Sequence, residues 1–211
     1  CPYCYVRKSS ERMDESIGLR AMEQVFAGAR TNGFRRVKLK YAGGEATLHF
    51  RLVRQLHERA CSLAQETGLE LREVVLSNGV FIRPDVADWL AASGVKLMIS
   101  LDGVGEIHDR QRPRKDGAPT FAQIEHNVDT ILLPRGIRPD ITITITALNA
   151  PGAAEAVRWA LDRDLPFSLN FYRQNPLSLS RRDLDLQEAV IIEGMRAAYR
   201  TIEANLPTRP I

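Results

Sequence analysis

Arg36-Val37-Lys38-Leu39-Lys40-Tyr41-Ala42-Gly43-Gly44-Glu45 decides the fold class. Its first six residues alternate and favour a strand. Two glycines break that pattern, and an amphipathic segment from Phe50 to Thr67 follows, carrying Leu52, Val53, Leu56, Ala60 and Leu63 and stopping before Gly68. This is a strand, a tight turn and a helix. The same sequence of events recurs outward along the chain. Val74 to Leu76 leads into Ser77-Asn78-Gly79. Val95 to Ser100 leads into Asp102-Gly103. Ile141 to Ala147, with its Thr and Ile alternation, leads into Asn149, and Phe167 to Tyr172 is the last such run.

Helical patterns separate these runs. Glu15 to Arg30 spaces Ile17, Leu19, Met22, Val25 and Phe26 helically. Pro84 to Ala92 begins on a Pro-Asp start signal and stops before Gly94. Thr120 is expected to cap a helix reaching about Leu133, with Gly136 past its end. Ala150 to Leu161 and Leu186 to Asn205 complete the set. Sustained βα alternation predicts an α/β fold with a parallel sheet covered by helices. Functional residues are then expected at the C-terminal ends of the strands.

The 211 residues suffice for one domain with a substantial core. A 44% hydrophobic and 26% charged composition is that of a globular protein. The net charge of +3 is dispersed, with no basic stripe interleaved with aromatics, so no nucleic-acid partner is expected. No apolar run reaches the roughly 20 residues that span a bilayer, so no membrane partner is expected. Three cysteines, two of them at one end, do not form a disulfide framework, and a reducing cytoplasm is the default compartment.

Cys1-Pro2-Tyr3-Cys4 places two thiols three residues apart, able to grip one metal centre from one loop. Soft thiolates suit zinc or an iron–sulfur cluster. Zinc calls for a further Cys/His pair at ligand spacing, and His49, His57, His108 and His126 are scattered. A redox Cys-x-x-Cys is also compatible with the pair. Cys61 reads as a buried structural thiol, and Trp89 and Trp159 as packing residues of outer helices. The four His read as structural or solvated.

Taken together, Cys1-Pro2-Tyr3-Cys4-Tyr5, Tyr41-Ala42-Gly43-Gly44-Glu45 and Ser100-Leu101-Asp102-Gly103 resemble the radical S-adenosylmethionine (radical SAM) enzymes. The pairing of Ser-Leu-Asp-Gly with His108-Asp109-Arg110-Gln111-Arg112 is similar to the subgroup of anaerobic sulfatase maturases and peptide-modifying enzymes that carry a SPASM domain. The resemblance implies a partial (β/α)6 TIM-like barrel lacking its first strand, with 1–206 as an N-terminally truncated core and 207–211 as a linker towards a further domain. It implies a 4Fe–4S cluster and S-adenosylmethionine as cofactors, with Cys1 and Cys4 as the second and third cluster ligands.

By the same resemblance Tyr3 lies near the adenine. Gly43, Gly44 and Glu45 meet the ammonium of the bound cofactor, Ser77 and Asn78 belong to the next cofactor loop, and Ser100 contacts the cofactor. Asp102 faces the pocket, and Arg112 pairs with the cofactor carboxylate. The implied activity is reductive cleavage of S-adenosylmethionine to a 5′-deoxyadenosyl radical, which abstracts hydrogen from a peptide or protein side chain. A flavodoxin or ferredoxin is the implied electron donor. The alternatives are a radical SAM enzyme acting on a small molecule and a non-catalytic βα-barrel metal-binding module. Asn149 and Asn170-Phe171-Tyr172-Arg173, which end the last two strands, are weaker candidates for the pocket.

Overall fold

The computed structural model describes residues 1–7 and 9–206. The expected linker over 207–211 lies outside the described residues. Five strands, β1 (Arg36–Tyr41), β2 (Glu70–Ser77), β3 (Lys96–Ser100), β4 (Asp140–Ile145) and β5 (Phe167–Phe171), pair in parallel in their chain order. They form a curled half-barrel, in agreement with the expected partial barrel.

The helices are α1 (Glu15–Thr31), α2 (Phe50–Thr67), α3 (Pro84–Ser93), α4 (Glu106–Gln111), α5 (Phe121–His126), α6 (Ala153–Asp162) and α7 (Glu188–Asn205). α1 starts where Asp14 accepts from the Ser16 and Ile17 amides, which satisfies two of the unpaired donors of its first turn. α2 and α3 end at Gly68 and Gly94, both in the left-handed conformation that glycine adopts without steric cost.

Alternation along β4 sorts its two faces. Ile141, Ile143 and Ile145 are fully buried and join one cluster with Val128, Leu132, Ala156, Val157 and Ala160. Thr142 and Thr144 point the other way and are half-buried. Each fully buried Ile contributes about 1.5–3 kcal/mol through removal of apolar surface from water.

Several boundaries differ from the sequence reading, for physical reasons. β2 begins at Glu70, four residues before the apolar run, because its charged half pairs with the charged start of β1: Glu70 lies opposite Arg36, and their side chains form an ion pair at 2.7 Å. Thr120 does not cap α5 with its hydroxyl, which donates instead to the Arg112 carbonyl at 2.7 Å. The Asp109 carboxylate takes that place, accepting from the Thr120 and Phe121 amides at 2.6 and 2.8 Å. Beyond α5 the chain widens into a π-helical stretch, Asn127–Leu132, and closes with a tight turn, Leu133–Arg135, before Gly136.

The helix expected from Ala150 opens as a 3-10 turn, Ala150–Gly152, with Pro151 in its first turn, and the α-helix runs from Ala153. α7 starts at Glu188 rather than Leu186. α4 was not expected at all; six residues are too few to show a helical period.

Candidate functional site

The loops that leave β1, β2 and β3 meet at one end of the sheet. Glu45 ties the first two together. Its carboxylate accepts from the Ser77 hydroxyl at 2.8 Å, from the Asn78 amide at 2.7 Å and from the Thr47 hydroxyl at 2.8 Å. The Ser77 hydroxyl also accepts from the Gly79 amide, and the Asn78 side chain accepts from the Val80 amide at 2.9 Å. Gly79 has φ +76, which favours glycine. From behind, the Asn127 side chain donates to the carbonyls of Gly79 and Val80 at 2.8 and 3.0 Å, so the π-helical stretch presents one residue that pins this turn. Among the described residues the space above Gly43 and Gly44 is open: a Cβ on either meets no atom within 4 Å.

A second network lies under the β3 loop. The Arg112 guanidinium donates to the Tyr3 hydroxyl, which donates to the Asp102 carboxylate. Arg112 Nη1 also reaches Asp102 at 3.4 Å. The Asp102 side chain is 0% exposed and that of Arg112 is 15% exposed. The other Asp102 oxygen accepts from the Thr144 amide at 2.8 Å. Burial, reinforced by the Asp102 charge, pushes the Tyr3 hydroxyl well above its ordinary range, so it remains a donor. Burial opposes the Arg112 charge, yet Asp102 and Tyr3 outweigh it and hold the guanidinium protonated. The Asn149 amide donates to the Asp102 and Thr144 carbonyls at 2.6 and 2.9 Å, which fixes β4 against the β3 loop.

Both networks border a cavity of about 1260 Å³. Of the residues expected at a site, Cys1, Cys4, Gly43, Gly44, Asn78 and Arg112 line it. Tyr3, Glu45, Ser77, Ser100 and Asp102 lie outside the lining. Asp102, expected to face the pocket, is buried in this structure, with Tyr3 and the Thr144 amide on its two oxygens. Tyr3 likewise has its hydroxyl held under the cavity, and its ring packs against Tyr172 with centroids 6.4 Å apart. Tyr172 is buried, whereas Asn170, Phe171 and Arg173 are exposed. Cationic side chains, Arg7, Arg12, Arg114 and Lys115, outnumber Glu11 and Asp116 around the cavity.

His108 was missed. It lines the cavity from α4, yet it is 0% exposed. Its Nδ1 accepts from the Asp102 amide at 3.1 Å, so the ring proton sits on Nε2, which is buried without a partner among the described residues. Burial, with Arg112 nearby, lowers its pKa to about 4, so the ring is neutral. The signal in the sequence was its place four residues before Arg112. Cys61 also departs from expectation: it is half-buried and lies near His57 and Glu73. Trp159 does pack in the core, with its Nε1 donating to Glu125 at 2.8 Å.

Residues 1–151 match the radical SAM superfamily. The chain belongs to that superfamily. No match is found among curated proteins. Among solved structures, this radical SAM chain is similar to native anSMEcpe with bound AdoMet, with a TM-score of 0.84, 19% identity, and coverage of 98% of this chain and 57% of that one. It is similar to SuiB of Streptococcus suis bound to S-adenosylmethionine, with a TM-score of 0.63, 15% identity, and coverage of 99% and 45%. Coproporphyrinogen III oxidase (HemN) of Escherichia coli, described as a radical SAM enzyme, gives a TM-score of 0.56 at 17% identity, covering 98% and 49%. These likenesses show the fold. The chain spans little more than half the length of the first of these structures and less than half of the others. No helix among the described residues is long and apolar enough to cross a membrane.

Proposed function

We propose that residues 1–206 form the catalytic core of a radical SAM enzyme that modifies a peptide or protein side chain. The observation that carries this reading is the convergence of Cys1, Cys4, Gly43, Gly44, Asn78 and Arg112 on one cavity in a chain of this superfamily. The residues present fit the cofactors in kind. Two thiols at the cavity edge suit irons of a 4Fe–4S cluster, and the open space over Gly43 and Gly44 suits a ligand that approaches the backbone.

Bound there, a reduced cluster would supply the electron for reductive cleavage of S-adenosylmethionine. Cys1 and Cys4 would hold the cluster. The backbone of Gly43 and Gly44 meets the ammonium of S-adenosylmethionine, while Glu45 keeps that turn and the Ser77-Asn78-Gly79 turn in register and adds negative charge nearby. Arg112 presents its guanidinium to the carboxylate and is aimed by Asp102 and Tyr3. The Nε2–H of His108 is a neutral donor at the same wall. Ser100 stands at the end of β3, next to this wall in sequence.

A peptide substrate is supported by two of the similar structures: anSMEcpe has been solved with AdoMet and a Kp18Cys peptide, and SuiB with the precursor peptide SuiA. The electron donor is proposed to be a flavodoxin or ferredoxin, and the compartment the cytoplasm.

The test is anaerobic reconstitution of the full-length protein with iron and sulfide, reduction, addition of S-adenosylmethionine, and detection of 5′-deoxyadenosine by mass spectrometry. The expected result is 5′-deoxyadenosine that disappears in Cys1→Ala and Cys4→Ala variants. Zinc bound at these cysteines with no iron–sulfur chromophore overturns the reading in favour of a metal-binding module. Turnover of a small molecule with no peptide modified overturns the substrate class alone.

A further inference from the structure

A second set of metal-binding side chains lies away from the cavity, between α2 and the sheet. His57 and Cys61 are one turn apart on α2, so they share a face. Glu73 reaches them from β2, and Tyr41 from the end of β1. His57 Nδ1 stands 2.8 Å from Glu73 Oε2. Cys61 Sγ stands 3.8 Å from His57 Nδ1 and 3.7 Å from Nε2. One donor atom from each of the three residues lies within 4.8 Å of the other two. The Tyr41 hydroxyl donates to the second oxygen of Glu73.

The charge balance here is unusual. The Glu73 side chain is only 6% exposed and that of His57 16%. Among the described residues no Arg or Lys forms an ion pair with Glu73. A buried carboxylate with only a phenol and an imidazole for partners gains from a nearby cation.

The donor set and its proximity suit a tetrahedral ion. With zinc about 2.0–2.1 Å from nitrogen and oxygen and about 2.3 Å from sulfur, tetrahedral angles put N and S about 3.6 Å apart and N and O about 3.3 Å apart. Cys61 Sγ is almost equidistant from Nδ1 and Nε2 and so lies over the imidazole face; an ion in the ring plane at Nδ1 is reached by turning the His57 and Cys61 side chains and opening the His57–Glu73 hydrogen bond by about half an ångström. We propose that His57 Nδ1, Cys61 Sγ and a Glu73 carboxylate oxygen form a site for Zn²⁺ or a similar divalent transition metal, with Tyr41 orienting Glu73 from behind.

On binding, the thiol gives its proton to solvent and the imidazole proton moves from Nδ1 to Nε2, so one proton is released per ion. Imidazole and thiolate select zinc, cobalt or nickel over magnesium or calcium. A hydrogen bond to the carboxylate ligand is the kind of support that fixes ligand orientation at metal sites. The ion ties α2 to β1 and β2, and α2 is the helix entered from the Gly43-Gly44-Glu45 turn. This site is separate from Cys1 and Cys4 and does not depend on the function proposed above.

The sequence holds three cysteines, so the 211-residue chain carrying Cys1→Ser and Cys4→Ser retains Cys61 as its only thiol. Metal-free protein of that background, titrated with Co²⁺, is expected to bind one ion per chain and show a thiolate-to-cobalt charge-transfer band, with Zn²⁺ displacing the cobalt. Adding Cys61→Ser is expected to remove the band. His57→Gln and Glu73→Gln, which keep the thiol, are expected to weaken binding at least about tenfold, by the scale on which even supporting residues act. Zn²⁺ is expected to raise the melting temperature of the background protein but not of these variants. Absence of the band, or affinity unchanged in both His57→Gln and Glu73→Gln with far-UV circular dichroism confirming the fold, overturns the proposal. Should Cys61→Ser fail to fold, those two variants decide the matter by themselves.

Discussion

Asp102→Asn is expected to be among the most destabilising polar substitutions in this chain. The Asp102 carboxylate is fully buried, and it accepts from Tyr3 on one oxygen and from the Thr144 amide on the other. Asparagine keeps the acceptor for Thr144. In place of the second oxygen it puts an NH₂ group, which cannot accept from Tyr3 and turns a donor towards Arg112. The guanidinium, 15% exposed, then lacks its counter-charge. At 3.4 Å and an effective dielectric constant near 20 the lost attraction is about 5 kcal/mol. Breaking a buried pair by removing one partner costs about 3–5 kcal/mol, which agrees.

With a urea m-value of about 2 kcal/mol/M, a loss of about 4 kcal/mol lowers the unfolding midpoint by about 2 M. Arg112→Met added to Asp102→Asn removes the stranded charge, so the double variant is expected to lose less than the sum of the singles, by at least about 1.5 kcal/mol. A midpoint shift below about 0.5 M for Asp102→Asn, or simple additivity in the double variant, refutes the assignment of a buried, mutually compensating pair.

His108 gives a pH dependence. Its folded pKa, about 4, lies below the ordinary 6.5, so the unfolded chain takes up its proton first as pH falls. The contribution to stability is therefore whole above pH 6.5 and is lost progressively between 6.5 and about 4, reaching about 2 kcal/mol by pH 5. Urea midpoints at pH 7 and pH 5 should differ more for the parent than for His108→Gln; equal differences count against it. Gly194→Ala puts a Cβ 2.1 Å from the Ala150 carbonyl oxygen, and a backbone atom cannot move aside. The expected cost is about 1–3 kcal/mol, read from the thermal midpoint. Glu45→Gln replaces an oxygen that accepts from Ser77 or Asn78 with a donor, and is expected to weaken S-adenosylmethionine binding at least about tenfold in equilibrium dialysis while the fold persists. Unchanged affinity detaches the two turns from cofactor binding.

The βα order was legible without coordinates because its signals are local. Alternation in Ile141 to Ile145, helical spacing from Phe50 to Thr67 and left-handed glycines at 68 and 94 each act within one element. The parallel half-barrel then follows from the order of elements. Gly43, Gly44 and Asn78 were legible as strand-end residues, since the C-terminal edge of such a sheet gathers the loops into one place, whereas Cys1 and Cys4, which precede α1, read only as two thiols on one loop. Partnership across distant segments was not legible. Whether Asp102 faces a ligand or lies beneath one depends on Tyr3, 99 residues away in sequence, and on the Thr144 amide of another strand. His108 reads as an ordinary histidine until burial removes the water from Nε2. His57, Cys61 and Glu73 are unremarkable on a helix and a strand until α2 packs on β2 and brings three donors around one point. Periodicity follows from each residue's near neighbours. Desolvation and donor convergence arise only when separate elements close on one another.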